Sequence, residues 1–304
     1  MNSKTGRAKT AILLLAHGSP DCVEDIPEFL RKVTSGRAVP ASVVEELKHR
    51  YGAIGRSPLT ELTLKQAELL SRELALPVYV GMRNWRPYIA DVITEMAADH
   101  VAEVVVICLA PQNSRTSVGL YRAALGNGLP FRLEFIEAWH DHPLLVQAFA
   151  EKLRICRERA LREFGEQVPV IFTAHSVPER TIAEGDPYEK QSRETAALVA
   201  CEVVIPSEEW RFAFQSQGMS GEAWLGPSVE DTILELKMAG YRGVLVQPIG
   251  FLCDHIEVLY DIDIGFRQFA EKEGMQFWRA DSLNDCPLLI AALVDLARKR
   301  LVNL

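Results

Sequence analysis

The chain lacks any close pair of cysteines. Its six cysteines, Cys22, Cys108, Cys156, Cys201, Cys253 and Cys286, are scattered, and none forms a Cys-x-x-Cys pair. That excludes the usual zinc spacing and gives no sign of a disulfide framework. Only Cys286 lies near the C-terminus, which argues against a clustered-cysteine iron–sulfur site. A basic excess is also missing. Lys and Arg number 33 against 41 Asp and Glu, a net charge of −8, and a nucleic-acid partner would want a basic face. No apolar run reaches the ~18 residues of a membrane span. Residues 1–9 are polar and basic, but the apolar run behind them covers only residues 11–16, too short for the core of a signal peptide. A cytoplasmic protein with reduced thiols is expected. With no extension at its C-terminus, it is expected to be soluble.

What is present is a chain of 304 residues, 48% hydrophobic and 24% charged. That is enough for two α/β domains with proper cores. Strand signals at residues 11–16, 77–81, 104–109 and 131–136 alternate with helical ones at 23–32, 43–51, 59–74 and 89–98. The second half repeats the scheme, with strands at 168–173, 210–214, 244–248 and 275–278. Its helices fall at 144–164, 189–199, 229–238, 256–269 and 288–302. Alternation of this kind predicts parallel sheets with helices on both faces.

The halves resemble each other. Ala16-His17-Gly18-Ser19-Pro20 echoes Ala174-His175-Ser176-Val177-Pro178, and Lys65-Gln66 echoes Lys190-Gln191. Pro87, Asp91, Ile93, Glu95 and Val104 recur as Pro227, Asp231, Ile233, Glu235 and Val244, in one shared register. Internal repetition on this scale predicts two similar domains facing each other across a cleft, and domain interfaces favour ligand pockets. The division expected is 8–139 and 140–287, at the interruption near Trp139–Pro143, with the closing helix at 288–304 packing back on the first domain.

Two stretches could carry chemistry. Val170 to Thr173 runs straight into Ala174-His175-Ser176, a buried strand delivering one histidine to a strand-end loop, where open α/β sheets bind ligands. A core histidine satisfied by backbone is the alternative. In the second stretch, Asp254 is placed to cap a helix by accepting from the backbone of Glu257, and Glu257 and Asp261 follow at i and i+4. A solvated acidic helix start is the alternative there. If His175 and Glu257 meet across the cleft, with Asp261 near, the site can hold a divalent transition metal through N and O donors. It can also accept protons.

The ordered motifs Ala174-His175-Ser176-Val177-Pro178, Gly185-Asp186-Pro187-Tyr188, Phe214-Gln215-Ser216, Trp224-Leu225-Gly226-Pro227, Asp254-His255-Ile256-Glu257 through Asp261, and Ser282-Leu283-Asn284 resemble the ferrochelatase family, the class II chelatases, over nearly the whole chain. The resemblance implies two Rossmann-like domains around a porphyrin cleft, and insertion of Fe²⁺ into a porphyrin with release of two protons in haem biosynthesis. By it, His175 and Glu257 are the catalytic and metal-binding pair, with Asp261 behind them. It implies no permanently bound cofactor, Fe²⁺ being a substrate. Its partners by this resemblance are porphyrin and iron; from composition no nucleic acid and no stable membrane insertion are expected, and a monomer is expected.

Ala110-Pro111 and Ser117-Val118 are similar to the coproporphyrin III branch, which inserts iron to give coprohaem; the protoporphyrin IX branch, giving protohaem, is the alternative. By this likeness His17 lines the pocket, and Arg50, Tyr51, Ser57, Tyr121 and Ser216 meet propionates, since guanidinium and hydroxyl groups suit carboxylates. Three positions depart from the branch. His17 stands where a tyrosine faces the iron, and it could ligate iron through its imidazole instead or merely line the pocket. A propionate-binding arginine aligns with Thr34, with Arg37 three residues on. The loop at Gly55-Arg56-Ser57 is one residue short. A shorter chelatase for another tetrapyrrole, or a non-catalytic porphyrin or haem carrier that needs the cleft but not Glu257, would be the competing readings.

Overall fold

A computed structural model describes residues 9–217 and 221–304. The leader reading, and residue 8 of the first expected domain, lie outside the described residues. Strands β1 (Lys9–Ala16), β2 (Val78–Met82), β3 (Val101–Cys108) and β4 (Arg132–Ile136) form one sheet in the order β2-β1-β3-β4. Strands β5 (Val170–His175), β6 (Trp210–Gln215), β7 (Gly243–Pro248) and β8 (Gln276–Arg279) form a second in the order β6-β5-β7-β8. Every pairing in both sheets is parallel.

The central strands are apolar almost without interruption because helices cover both of their faces. Ala11 to Ala16 and Val104 to Cys108 are all buried, as is Val170 to Ala174. Alternate residues serve different layers. Ile12, Leu14, Phe172 and Leu245 point into a large core shared by the two sheets. Leu13 and Val106 close one outer layer, and Ile171 and Val246 the other. The helix Pro143–Phe164 links the halves. It starts on a proline and ends on Gly165 at φ 85°, which suits a left-handed cap. The closing helix Pro287–Leu301 packs on the helices Leu59–Leu74 and Pro143–Phe164 and on β3.

The repeat seen in the sequence is repeated in detail. Ile89–Ala98 and Val229–Met238 are both ten-residue helices. Each follows a cis Xaa-Pro bond, at Pro87 and Pro227. The carbonyls of those prolines accept from Met82 N at 2.7 Å and Phe214 N at 2.8 Å, at the ends of β2 and β6.

Two predicted helices differ from what forms. Residues 23–32 divide into a short 3₁₀ turn, Val23–Asp25, and a helix Ile26–Val33 with Pro27 in its first turn, since a proline suits a helix start and not an interior. Residues 256–269 are a π-helix, Glu257–Phe266, followed by an α-helix, Arg267–Lys272. π-Turns are rare and gather at functional sites. A further short helix, Glu179–Ala183, follows β5.

At one point the two main elements of the second half touch with no room to spare. A Cβ built on Gly250 would lie 2.8 Å from Ala174 Cβ and 3.0 Å from Ala174 Cα. Gly250→Ala must push the loop after β7 off the end of β5. It should cost about 1–3 kcal/mol, as overpacking does, read as a lower Tm. An unchanged Tm would show that the loop gives way freely.

Candidate active site

A cleft of about 550 Å³ opens where the carboxyl ends of both sheets face each other. Ala16 and His17 reach it from β1, Leu109 and Ala110 from β3, His175 from β5, and Gly250 to Cys253, His255 and Glu257 from the loop after β7. Its walls are mostly apolar, with Val33, Leu59, Val177, Phe251 and Trp224 among them. Such a slot suits a flat, largely hydrophobic ligand with few polar anchors.

His175 is the last residue of β5, and its carbonyl is fixed by the Tyr188 hydroxyl at 3.0 Å. Nδ1 lies 2.5 Å from the Ser176 carbonyl. A carbonyl can only accept, so Nδ1 carries a proton and Nε2 is left free for the cleft. Nε2 stands 3.5 Å from Glu257 Oε2. The repeat places His17 in the same way, with Nδ1 3.0 Å from the Gly18 carbonyl. Burial holds its pKa below the ordinary value, against the opposing pull of that carbonyl and of Glu257.

Glu257 opens the π-helix, and Gln215 Nε2 grips its backbone carbonyl at 3.0 Å. Its carboxylate makes no hydrogen bond among the described residues. Burial would raise its pKa. The imidazoles of His175, His255 and His17 outweigh burial and leave the pKa below the usual carboxylate value. His255 was not singled out from the sequence. It lines the cleft, with Nδ1 3.0 Å from the Cys253 carbonyl; the signal for it was its place two residues before Glu257.

Asp261 sits behind this pair, accepting from the Ser216 hydroxyl at 2.6 Å and from Arg50 at 3.2 Å. Burial is the main cause that raises its pKa, with Glu257 adding to it and Ser216 and Arg50 opposing. A carboxyl whose folded pKa exceeds its unfolded one costs stability above both values, and the cost vanishes below them. Asp261→Asn should therefore raise Tm at neutral pH, and the gain should fade as pH falls from the raised folded pKa towards 3.8 and be absent below that value. A loss of Tm at neutral pH would show that the Arg50 pair dominates.

The sequence placed Asp254 as a helix cap, and that reading is corrected. The helix starts later, from Ile256, with no side-chain cap. The Asp254 carboxylate is taken by Arg279, Ser282 and Asn284.

The propionate candidates divide. Tyr121 lines the cleft with His17, and burial raises the pKa of its phenol. Arg50, Tyr51, Ser57 and Ser216 are not part of the lining. Arg50 is paired with Glu46 at 2.8 Å and with Asp261, and its guanidinium stacks over Tyr260. Tyr51 is buried, its hydroxyl 2.9 Å from Ser19 Oγ and its pKa pushed up to about 12. Ser57 Oγ is buried with no partner among the described residues. Arg37, by contrast, lines the cleft, its Nε donating to the Thr34 carbonyl at 3.1 Å.

The possible metal donors are therefore nitrogen and oxygen. Among the described residues, no three or more His, Cys, Asp or Glu side chains form a ready-made metal cluster. Cys253 is the one thiol in the described lining. Burial pushes it up to about 12, and Gln66 donates to it at 3.0 Å, so it stays neutral. A pair of borderline donors without thiolate can grip a divalent transition metal and let it go.

Known proteins match this chain over nearly its whole length. The ferrochelatase family profile matches residues 9–301. A ferrochelatase of Acidobacterium capsulatum is 54% identical over 312 residues, covering 97% of this chain and 96% of the relative. A coproporphyrin III ferrochelatase of Geobacillus thermodenitrificans is 36% identical over 306 residues, covering 96% of each. Among solved structures, SirB from Bacillus subtilis with Fe³⁺ superposes with a TM-score of 0.57 at 12% identity, over 97% of this chain and 96% of that one. CbiX, the terminal enzyme of sirohaem biosynthesis in denitrifying bacteria, gives 0.51 at 12%, over 96% and 98%. Identities this low establish the shared chelatase fold alone.

Proposed function

The chain belongs to the ferrochelatase family, so it is a metal chelatase of haem biosynthesis, and from that premise we propose that it inserts Fe²⁺ into coproporphyrin III to give coprohaem. The observation that carries the reaction is the 3.5 Å pair of His175 Nε2 and Glu257 Oε2 on the cleft wall. Fe²⁺ replaces two pyrrole N–H protons, so two protons leave for each iron that enters. In the neutral tautomer that the Ser176 contact selects, His175 Nε2 turns its lone pair to the cleft and accepts a proton from a pyrrole nitrogen. Glu257, ionised at neutral pH, stabilises the imidazolium and relays the protons to bulk solvent at the cleft mouth, while Asp261 is held behind it by Ser216 and Arg50. Before any proton reaches Nε2, its lone pair can hold the incoming iron together with the Glu257 carboxylate, and it turns proton acceptor once the iron has passed to the ring nitrogens.

The choice of porphyrin rests on other support. The Ala110-Pro111 and Ser117-Val118 stretches resemble the coproporphyrin branch, and coproporphyrin III ferrochelatases match nearly the full chain. Four propionates need more anchors than two. In this reading Arg37 and Tyr121, both in the cleft lining, take two of them. In this reading Arg50 and Ser216 serve the carboxylate Asp261 first, Tyr51 and Ser57 support the pocket from behind, and His17 faces the macrocycle. Residues 8–139 and 140–287 act as the two jaws. The enzyme works as a cytoplasmic monomer; no helix among the described residues is long and apolar enough to cross a membrane.

The test is kcat/KM for coproporphyrin III and protoporphyrin IX measured side by side. Charge-assisted contacts contribute about 1.5–3 kcal/mol each, so coproporphyrin should be preferred by at least ~10-fold, and Arg37→Ala should narrow the gap. Equal rates, or a preference for protoporphyrin, would move the enzyme to the other branch.

A further inference from the structure

The Glu257 carboxylate has no hydrogen bond of its own among the described residues, so its position depends on where the backbone of the π-helix is held. One side chain holds that segment on both sides. Arg279, the last residue of β8, is only 12% exposed at its side chain. Its Nε and one terminal nitrogen meet the two oxygens of Asp263 at 2.7 and 2.9 Å. Its other terminal nitrogen meets Asp254 Oδ1 at 3.2 Å. Asp254 lies three residues before Glu257 and Asp263 six after it, so a single planar guanidinium ties together both flanks of the stretch that carries His255, Glu257 and Asp261.

The grip continues past the arginine. Ser282 Oγ donates to Asp254 Oδ1 at 2.8 Å, and Asn284 Nδ2 donates to Oδ2 at 2.8 Å. Asn284 Oδ1 accepts from the Asp254 backbone N–H at 2.9 Å. Asn284 itself is held in the left-handed region at φ 52°, its backbone N–H bonded to the Leu252 carbonyl at 2.8 Å. The loop after β8 is thus locked against the loop that delivers His255 and Glu257. Bidentate pairing fixes angle as well as distance, and a lysine cannot reproduce it.

We propose that Arg279 is a positioning residue for metal insertion: its fork to Asp263 and Asp254 holds the π-helix where Glu257 meets His175. The inference rests on the functional reading above. Arg279 touches neither substrate nor iron. It acts through Glu257, and the cost of losing it is a misplaced carboxylate.

The experiment compares wild type with Arg279→Gln, Arg279→Lys and the milder Asp263→Asn, each also in a Glu257→Gln background. The readouts are kcat for Zn²⁺ insertion, KM for the porphyrin, and porphyrin affinity by fluorescence quenching. A shift of about 1 Å at a reacting group can cost ~100-fold. Arg279→Gln should lower kcat ~10- to 100-fold, Asp263→Asn should follow in the same direction, and Arg279→Lys should recover only part. Porphyrin KM and affinity should stay within ~2-fold, which also shows that the variants fold. In the Glu257→Gln background the Arg279 effect should disappear. An undiminished effect in that background, a kcat that does not change, or a parallel loss of porphyrin affinity would overturn the proposal. A wild type that inserts no metal would instead defeat the functional reading, and this inference with it.

Discussion

His175→Ala should abolish most metal insertion, with kcat reduced ~10³- to 10⁴-fold. A positioned proton acceptor contributes about 10²- to 10⁴-fold, and His175 does two jobs in the proposed reaction. Its Nε2 lone pair first offers the iron a nitrogen and then, once the iron has moved to the ring, accepts a pyrrole proton. Its geometry leaves little to replace it. Nδ1 is tied to the Ser176 carbonyl, so the ring presents one nitrogen, Nε2, to the cleft. His17 shares the backbone arrangement but comes from the other sheet. Porphyrin binding should survive, because the apolar walls and Arg37 remain. Steady-state metallation with quenching titrations on the same sample separates the two effects. If kcat stays within tenfold of wild type, the proton is taken elsewhere.

Glu257→Gln should lower kcat ~10²- to 10³-fold with little change in porphyrin affinity, the lower part of the general-base range. The amide keeps the shape and removes the charge. His175 can still accept a proton, but the imidazolium formed is no longer stabilised 3.5 Å away, and the iron loses the anionic character of its oxygen donor. Stability should respond as well. The carboxyl has a folded pKa below its ordinary 4.5. Its contribution is therefore fully present above about that value and is lost as pH falls through the folded pKa. Wild type should be more stable than Glu257→Gln at neutral pH, and the difference should close in acid. Thermal melts from neutral pH into acid measure this directly. A constant difference across that range would mean that the three imidazoles do not hold the carboxyl ionised. The opposite sign expected for Asp261→Asn makes the pair a sharp contrast within one helix.

Much of this site can be read in the amino-acid sequence, for reasons visible in the fold. The βα alternation is legible because parallel strands buried on both faces must be apolar throughout, as 11–16 and 104–108 are. The repeat is legible because equivalent prolines and helices recur in one register. His175 is legible because the end of a buried strand is where an α/β sheet presents side chains. The parts that do not follow from sequence depend on tertiary partners. Residues 257–266 have no local feature that separates a π-helix from an α-helix. Asp254 looks like a cap until Arg279 and Asn284, 25 and 30 residues on, claim its carboxylate. Arg50 and Tyr51 sit on a helix whose facing is set by packing, with Tyr51 buried in a small cluster with Ile26 and Leu30, so their place outside the cleft lining does not follow from the resemblance. Arg37 reaches the cleft by the course of a loop that no periodicity describes.

The most direct test of the central claim is anaerobic single-turnover metallation of coproporphyrin III by the wild-type protein, followed by the Soret and Q bands together with proton release in weak buffer. Conversion to the iron porphyrin with two protons released per iron is expected, and neither signal on that timescale with His175→Ala. Tight porphyrin binding with no spectral conversion and no proton release would contradict it, and would leave a cleft that carries tetrapyrroles without metallating them.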